Sequence, residues 1–163
     1  MNKTNQLTLV AAFIAIGVIG ASFLWFPTGI ARAYPVQHAI NVISAIFLGP
    51  TPTIIIAFGI GLIRNALGLG TLLAFPGGMA GALLAGVLYR YYKKTSAAII
   101  GEIIGTTVFG SLLSIPVARL IMGENVAVLA FVPGFLISSV SGAILAAFIM
   151  PKLKTFFRKK QKS

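Results

Sequence analysis

Apolar residues run through this chain in long blocks, and polar ones gather at the seams between them. Reading the blocks against Gly, Pro and charge gives six segments. They are Leu7–Leu24, Val36–Gly49, Thr53–Leu67, Thr71–Tyr89, Ser96–Met122 and Val126–Met150. A loop from Trp25 to Pro35 separates the first two, and Pro50-Thr51-Pro52 ends the second. Each block lacks the polar stripe that a water-facing helix would carry. A helix that crosses hydrocarbon needs ~20 mostly apolar residues. The pattern therefore predicts an all-α polytopic membrane protein with six transmembrane helices, one domain spanning residues 1–163. The second segment is short for a ~30 Å core, since its ~14 residues rise about 21 Å. The fourth and sixth are long enough but contain Pro76-Gly77-Gly78 and Pro133-Gly134.

Those two interrupted segments echo each other. Leu73-Ala74-Phe75-Pro76-Gly77 resembles Leu129-Ala130-Phe131-Val132-Pro133-Gly134, and Gly81–Gly86 resembles Gly142–Ala147. Each Pro-Gly pair is expected to break its helix roughly 7–11 Å below the outer end. Broken backbone at membrane depth is tolerated only when it is buried in protein or lines a cavity. Short or Pro/Gly-broken spans in corresponding places point to a binding site.

Composition agrees with the pattern. Of 163 residues, 58% are hydrophobic and 9% charged, and the mean hydropathy is +0.99. Soluble domains carry about 25% charged residues, so an ordinary soluble enzyme is excluded. Charge sets the orientation. Ten of the thirteen basic residues fall before the first segment, between the fourth and fifth (Arg90, Lys93, Lys94) and after the sixth, leaving Arg32, Arg64 and Arg119 for the other side. The basic side is the cytoplasmic one, so both termini are predicted inside and residues 151–163 form a basic cytoplasmic tail. That tail suits anionic lipid better than nucleic acid. Lys3, the first apolar run and Ala31-Arg32-Ala33 also fit a cleavable leader. The run is long for one and the small-residue site lies well beyond it, so the first block is taken as a span.

The chemistry-bearing residues are few. There is no Cys, no Asp and one His, and the only acids are Glu102 and Glu124. Disulfides, thiolate chemistry and multi-histidine or carboxylate metal sites are excluded. No metal or cofactor is expected, no nucleophile–base pair supports an intramembrane enzyme, and no phosphate-binding loop is present. Polar residues in hydrocarbon are costly and mark function. The densest cluster opens the second segment: Gln37, His38 and Asn41 at helical spacing, with Ser44 beyond. Two amides and an imidazole both donate and accept, which suits a small neutral heterocycle bearing a hydroxyl. A helix–helix clamp is the competing reading.

Arg64 and Asn65 close the third segment, where Arg64 either snorkels to the interface or serves the mouth of a pocket. Glu102 and Thr106 share a stripe with Gly110, and Glu102 needs a partner or a proton. Glu102 and His38 fall at opposite ends of their spans, which argues against a joint proton relay. Trp25 reads as an interfacial belt residue, Tyr34 as belt or ring-stacking wall, and Phe75 as a pocket wall. On the first segment Ala11 and Ala15 are four apart, as are Gly17 and Ala21; such stripes pack inside a bundle or dock an external helix. The residues leave two functional readings open: a binding subunit powered by partners, or a solitary carrier or channel.

Pro35–Val42, Leu48-Gly49-Pro50, Arg64-Asn65, Gly70–Gly77 and Gly101–Thr106, taken in order, resemble the ThiW family. The resemblance spans residues 7–150. It implies a substrate-capture (S) component of an energy-coupling factor (ECF) transporter in the prokaryotic plasma membrane. Its substrate would be a thiazole precursor of thiamin, hydroxyethylthiazole, although an S component for a different vitamin fits as well. Its partners would be a transmembrane coupling subunit and two cytoplasmic ATPases. Ala11 and Ala15 match the Ala-x-x-x-Ala pattern that such components turn toward the coupling subunit. The ligand would be held by Gln37, His38 and Asn41, with Tyr34, Arg64, Asn65, Phe75, Glu102 and Thr106 around it.

Overall fold

A computed structural model describes residues 2–28, 32–125, 127 and 129–160, with side chains to 155. Ala31, Val126 and Lys162, on which parts of the leader, sixth-segment and tail expectations rest, lie outside the described residues. Among the described residues the fold is six helices and one two-residue hairpin. The helices are α1 (Lys3–Phe23), α2 (Pro35–Leu48), α3 (Pro50–Ala66), α4 (Ala74–Tyr92), α5 (Thr95–Ile121) and α6 (Val132–Lys160). The hairpin pairs β1 (Phe26–Pro27) with β2 (Arg32–Ala33) in antiparallel register between α1 and α2. Three helices are long and apolar enough to cross a membrane: α1, α5 and residues Val132–Thr155 of α6.

Local chemistry explains the starts and stops. Asn2 caps α1 by accepting from the Asn5 N–H at 2.9 Å. Pro35 and Pro50 open α2 and α3, where a missing N–H costs nothing. Gly49 alone joins α2 to α3 at φ 83°, ψ −177°, a conformation essentially restricted to glycine. The expected breaks prove to be helix starts. Pro76 lies in the first turn of α4 and Pro133 in the first turn of α6. Their absent donors are among those that no helix satisfies internally, so neither proline interrupts a helix at depth. The irregular backbone lies just before them, in the α3–α4 and α5–α6 connections. The sixth helix also continues through Pro151 to Lys160, so much of the expected tail is helical.

The bundle is apolar outside and partly polar inside. Leu7, Phe23, Leu120 and Phe148 are exposed, whereas Asn41, Arg64, Glu102, Thr106 and Ser114 are buried. Hydrocarbon, not water, suits such a surface. Short α2 touches every other helix and is buried from Gln37 to Ala45. Surrounded by protein, it has no need of the length that a lipid-facing helix requires.

Close contacts are made by small residues. A Cβ on Gly105 would stand 2.5 Å from the Ala80 carbonyl, so the α4 and α5 backbones meet directly. Two turns of α5, Gly105–Gly110 and Val117–Ile121, are π-helical, the second following Pro116. π-Turns rotate the residues after them relative to a regular helix and often occur at functional sites. On α1, Gly17 and Ala21 are buried while Ala11 and Ala15 are exposed, so the stripe divides between an inner and an outer face.

Candidate functional site

One end of the bundle contains a cavity of about 520 Å³. The start of α2, the end of α3, the start of α4, the π-turn of α5, the start of α6 and the hairpin enclose it. The opposite end carries Lys3, Arg90, Lys93, Lys94, Lys152 and Lys154.

The cavity wall is a chain of hydrogen bonds between helices. The Arg64 guanidinium donates to Gln37 Oε1 and, at 3.4 Å, to the Leu69 carbonyl. It also lies against the Tyr34 ring, 3.4 Å from the centroid. The Tyr34 hydroxyl donates to the Leu69 carbonyl, and its N–H donates to Ser138 Oγ at 2.9 Å. Arg64 is 1% exposed, so it braces the cavity and does not snorkel. A Cβ at position 78 would meet Gln37 Nε2 at 2.4 Å; glycine there lets α4 come up to the amide.

A second polar layer lies beneath the wall. His38 Nδ1 is 2.6 Å from Glu102 Oε1. Asn41 Nδ2 donates to the same oxygen at 3.1 Å and to the Gly78 carbonyl at 3.0 Å. Thr106 Oγ1 stands 3.2 Å from Glu102 Oε1 and 3.3 Å from the Gly77 carbonyl. A Cβ on Gly81 would fall 2.2 Å from Thr106 Oγ1 and 2.7 Å from either Glu102 oxygen. Two buried acceptors, Asn41 Oδ1 and Glu102 Oε2, have no hydrogen-bond partner.

Tyr34, Gln37, His38, Arg64 and Thr106 line the cavity. Asn41 and Glu102 belong to the layer below. Asn65 donates to the Gly61 and Thr71 carbonyls at 2.8 and 3.1 Å, tying down the loop outside the wall. Phe75 packs on Phe58, ring centroids 5.4 Å apart, and faces Gly61 away from the lining. Its counterpart in the sequence echo, Phe131, is on the wall, 6.2 Å from Phe135 centroid to centroid. Sequence reasoning passed over Phe131, Phe135 and Ser138, although paired serines in an apolar segment were a usable signal. The placing of His38 and Glu102 at opposite ends is corrected: the two are in contact. His38 is the fourth residue of enclosed α2, and Glu102 the eighth of long α5, so both lie well inside the bundle. Their contact answers the need of Glu102 for a partner. Gln37 and His38 are clamp and cavity wall at once, whereas Asn41 is clamp alone.

A family model described as thiamine-precursor transporter protein (ThiW) matches residues 7–156. The chain belongs to the ThiW family. ThiW membership makes it a membrane transport protein and not an enzyme. No curated protein matches the chain. A solved structure, reported as the S component of a bacterial ECF transporter, superposes with a TM-score of 0.79 at 19% identity, covering 96% of this chain and 99% of that one. The ThiW chain therefore shares the fold of that S component.

Proposed function

We propose that this chain is the substrate-capture subunit of an ECF transporter that takes up a thiamin precursor, hydroxyethylthiazole. In this reading the six helices all span the membrane, both termini face the cytoplasm and the cavity opens outward. The observation that carries it is the position of the cavity: polar and aromatic groups surround about 520 Å³ at the end away from Lys3, Arg90, Lys93, Lys94, Lys152 and Lys154. Basic residues mark the cytoplasmic side, and a cavity of this size suits a small ligand. Tyr34, Gln37, His38, Arg64 and Thr106 touch the ligand, while Asn41 and Glu102 support them from below. Asn65 holds the mouth from outside the wall, and Phe75 packs behind it against α3.

The chain has no nucleotide-binding loop, so a coupling subunit and two ATPases supply the energy. Exposed Ala11 and Ala15 on α1 offer that coupling subunit a flat face, and the basic residues after the last span, Lys152 and Lys154 among them, favour anionic lipid. Thermal unfolding of the purified protein with and without hydroxyethylthiazole tests the reading. Ligand at a hundred times its Kd adds about 2.7 kcal/mol of stability. A shift with intact thiamin and none with the thiazole would keep the capture role and replace the ligand.

One observation favours a second reading. The buried His38–Glu102 pair is an acid–base couple of the kind that a proton-driven carrier uses. Uptake by the protein alone into liposomes under a proton gradient would establish that reading, and copurification with an ATPase pair would establish the first.

A further inference from the structure

Glu102 is 0% exposed and does not line the cavity. Its contacts with cavity-lining side chains are with His38 and Thr106, and the shorter is with His38. Three polar groups converge on Glu102 Oε1: His38 Nδ1, Asn41 Nδ2 and Thr106 Oγ1. The Gly78 carbonyl fixes the Asn41 amide, because only an N–H can face that oxygen at 3.0 Å. The other N–H of Asn41 therefore points at Glu102, and Oε1 is an acceptor. With Glu102 as the carboxylate, His38 Nδ1, 2.6 Å away, supplies the hydrogen of its own contact.

The root of the histidine side chain is held from behind as well. A Cβ on Gly142 would be 2.4 Å from the His38 Cβ, so α6 presses directly on the residue. With Nδ1 committed, Nε2 is the nitrogen that this cavity-lining ring offers to a ligand. A neutral ring protonated at Nδ1 has a lone pair at Nε2. The lining holds other acceptors, the Glu124 carboxylate and the Thr71 hydroxyl among them, but those on the neighbouring Gln37 and Leu69 are taken. Arg64 occupies Gln37 Oε1, and Arg64 and Tyr34 occupy the Leu69 carbonyl. Arg64 itself and the Gln37 NH2 group only donate.

We propose that Glu102 is a positioning residue that fixes the His38 tautomer, making His38 Nε2 the acceptor that selects a ligand with a hydroxyl or other hydrogen-bond donor at that point. The selection step rests on the ligand-capture reading above; the tautomer does not. Glu102 thus determines specificity without touching substrate, as carboxylates behind metal-bound histidines orient the ring.

His38 is the only histidine in the chain, so labelling histidine with ¹⁵N gives the signals of one ring. In the full-length protein in nanodiscs at neutral pH, without ligand, Nδ1 is expected to be protonated and Nε2 unprotonated. Both nitrogens protonated, or the proton on Nε2, would overturn the proposal. In Glu102→Gln the signals are expected to move toward a mixture of tautomers, and an unchanged spectrum counts against a positioning role.

Calorimetry with hydroxyethylthiazole and its analogue lacking the hydroxyl provides the second arm. Wild type is expected to prefer the alcohol by about ten- to a hundredfold, the scale of one well-made hydrogen bond. Glu102→Gln should lose most of that preference, its affinity for the alcohol falling far more than its affinity for the analogue. Equal weakening for both ligands would make Glu102 a packing residue and sink the selection claim. Failure of wild type to bind either compound, with the tautomer as expected, would remove the thiazole ligand and leave the Glu102–His38 assignment standing.

Discussion

Around Met150 the helices meet through Ala39, Val42, Ala98 and Ala146, side chains with no hydrogen-bonding needs. Around His38, on another face of the same α2 and nearer its start, they meet through an imidazole, a carboxylate, two amides and a guanidinium. In hydrocarbon, apolar contact between helices gains little over contact with lipid, so small residues close one end by letting backbones approach. The polar end is held by groups whose partners lie on other helices, and those obligations leave room between them. The difference teaches where tolerance should lie: volume matters at the closed end, hydrogen-bonding capacity at the cavity end.

The largest break in that contrast is expected from Gly81→Val. Its side chain would occupy the space of Thr106 Oγ1 and the Glu102 carboxylate. Ligand affinity should fall more than about a hundredfold, roughly 2.7 kcal/mol, as measured by calorimetry. Native affinity would show that the lower polar layer does not communicate with the cavity.

Arg64→Met should come next. It strips Gln37 Oε1 of a charged donor and Tyr34 of its cation. A loss of about 2 kcal/mol in binding, some thirtyfold, is expected from titration of the purified protein. An unaltered Kd would assign Arg64 to the architecture of the mouth alone.

At the closed end Met150→Ala should lower stability by about 2 kcal/mol through the hole it leaves. Distant sites add nearly independently, so ligand affinity should stay within about twofold of wild type. Denaturation followed with and without ligand separates the two quantities, and a large affinity change would erase the division between the ends.

The smallest effect on the isolated chain is expected from Ala11→Val with Ala15→Val, since both residues are exposed on α1. Melting temperature and Kd should not move, while uptake by cells that supply the coupling and ATPase subunits should stop. Normal uptake would return this face to lipid.

Much of the architecture was legible because hydrocarbon imposes it. Apolar blocks and the polar opening of α2 are local signals, and the first five blocks lie within a few residues of their observed helices, while the sixth helix begins and ends well beyond its block. Pairing across the bundle was not legible. Whether His38 meets Glu102 depends on how deep enclosed α2 sits and on the register of α5, neither of which is written in either segment. Arg64 could be read as snorkelling because only the folded chain places Gln37 and Tyr34 beside it. The sequence echo made Phe75 and Phe131 equivalent, yet only Phe131 faces inward, because Phe75 turns toward Phe58 and the gap over Gly61. The Pro-Gly pairs were found correctly and misread in kind, since composition does not tell an interrupted helix from a newly begun one.

Gly49 makes a pair of tongs of α2 and α3. The two arms share a one-residue fulcrum at the closed end, and their far tips bear His38 and Gln37 on one side and Arg64 on the other. An arm of 14 residues is about 21 Å long, so 5° of opening at the fulcrum separates the tips by about 2 Å. That displacement is enough to pull Gln37 off Arg64 with no helix unwound.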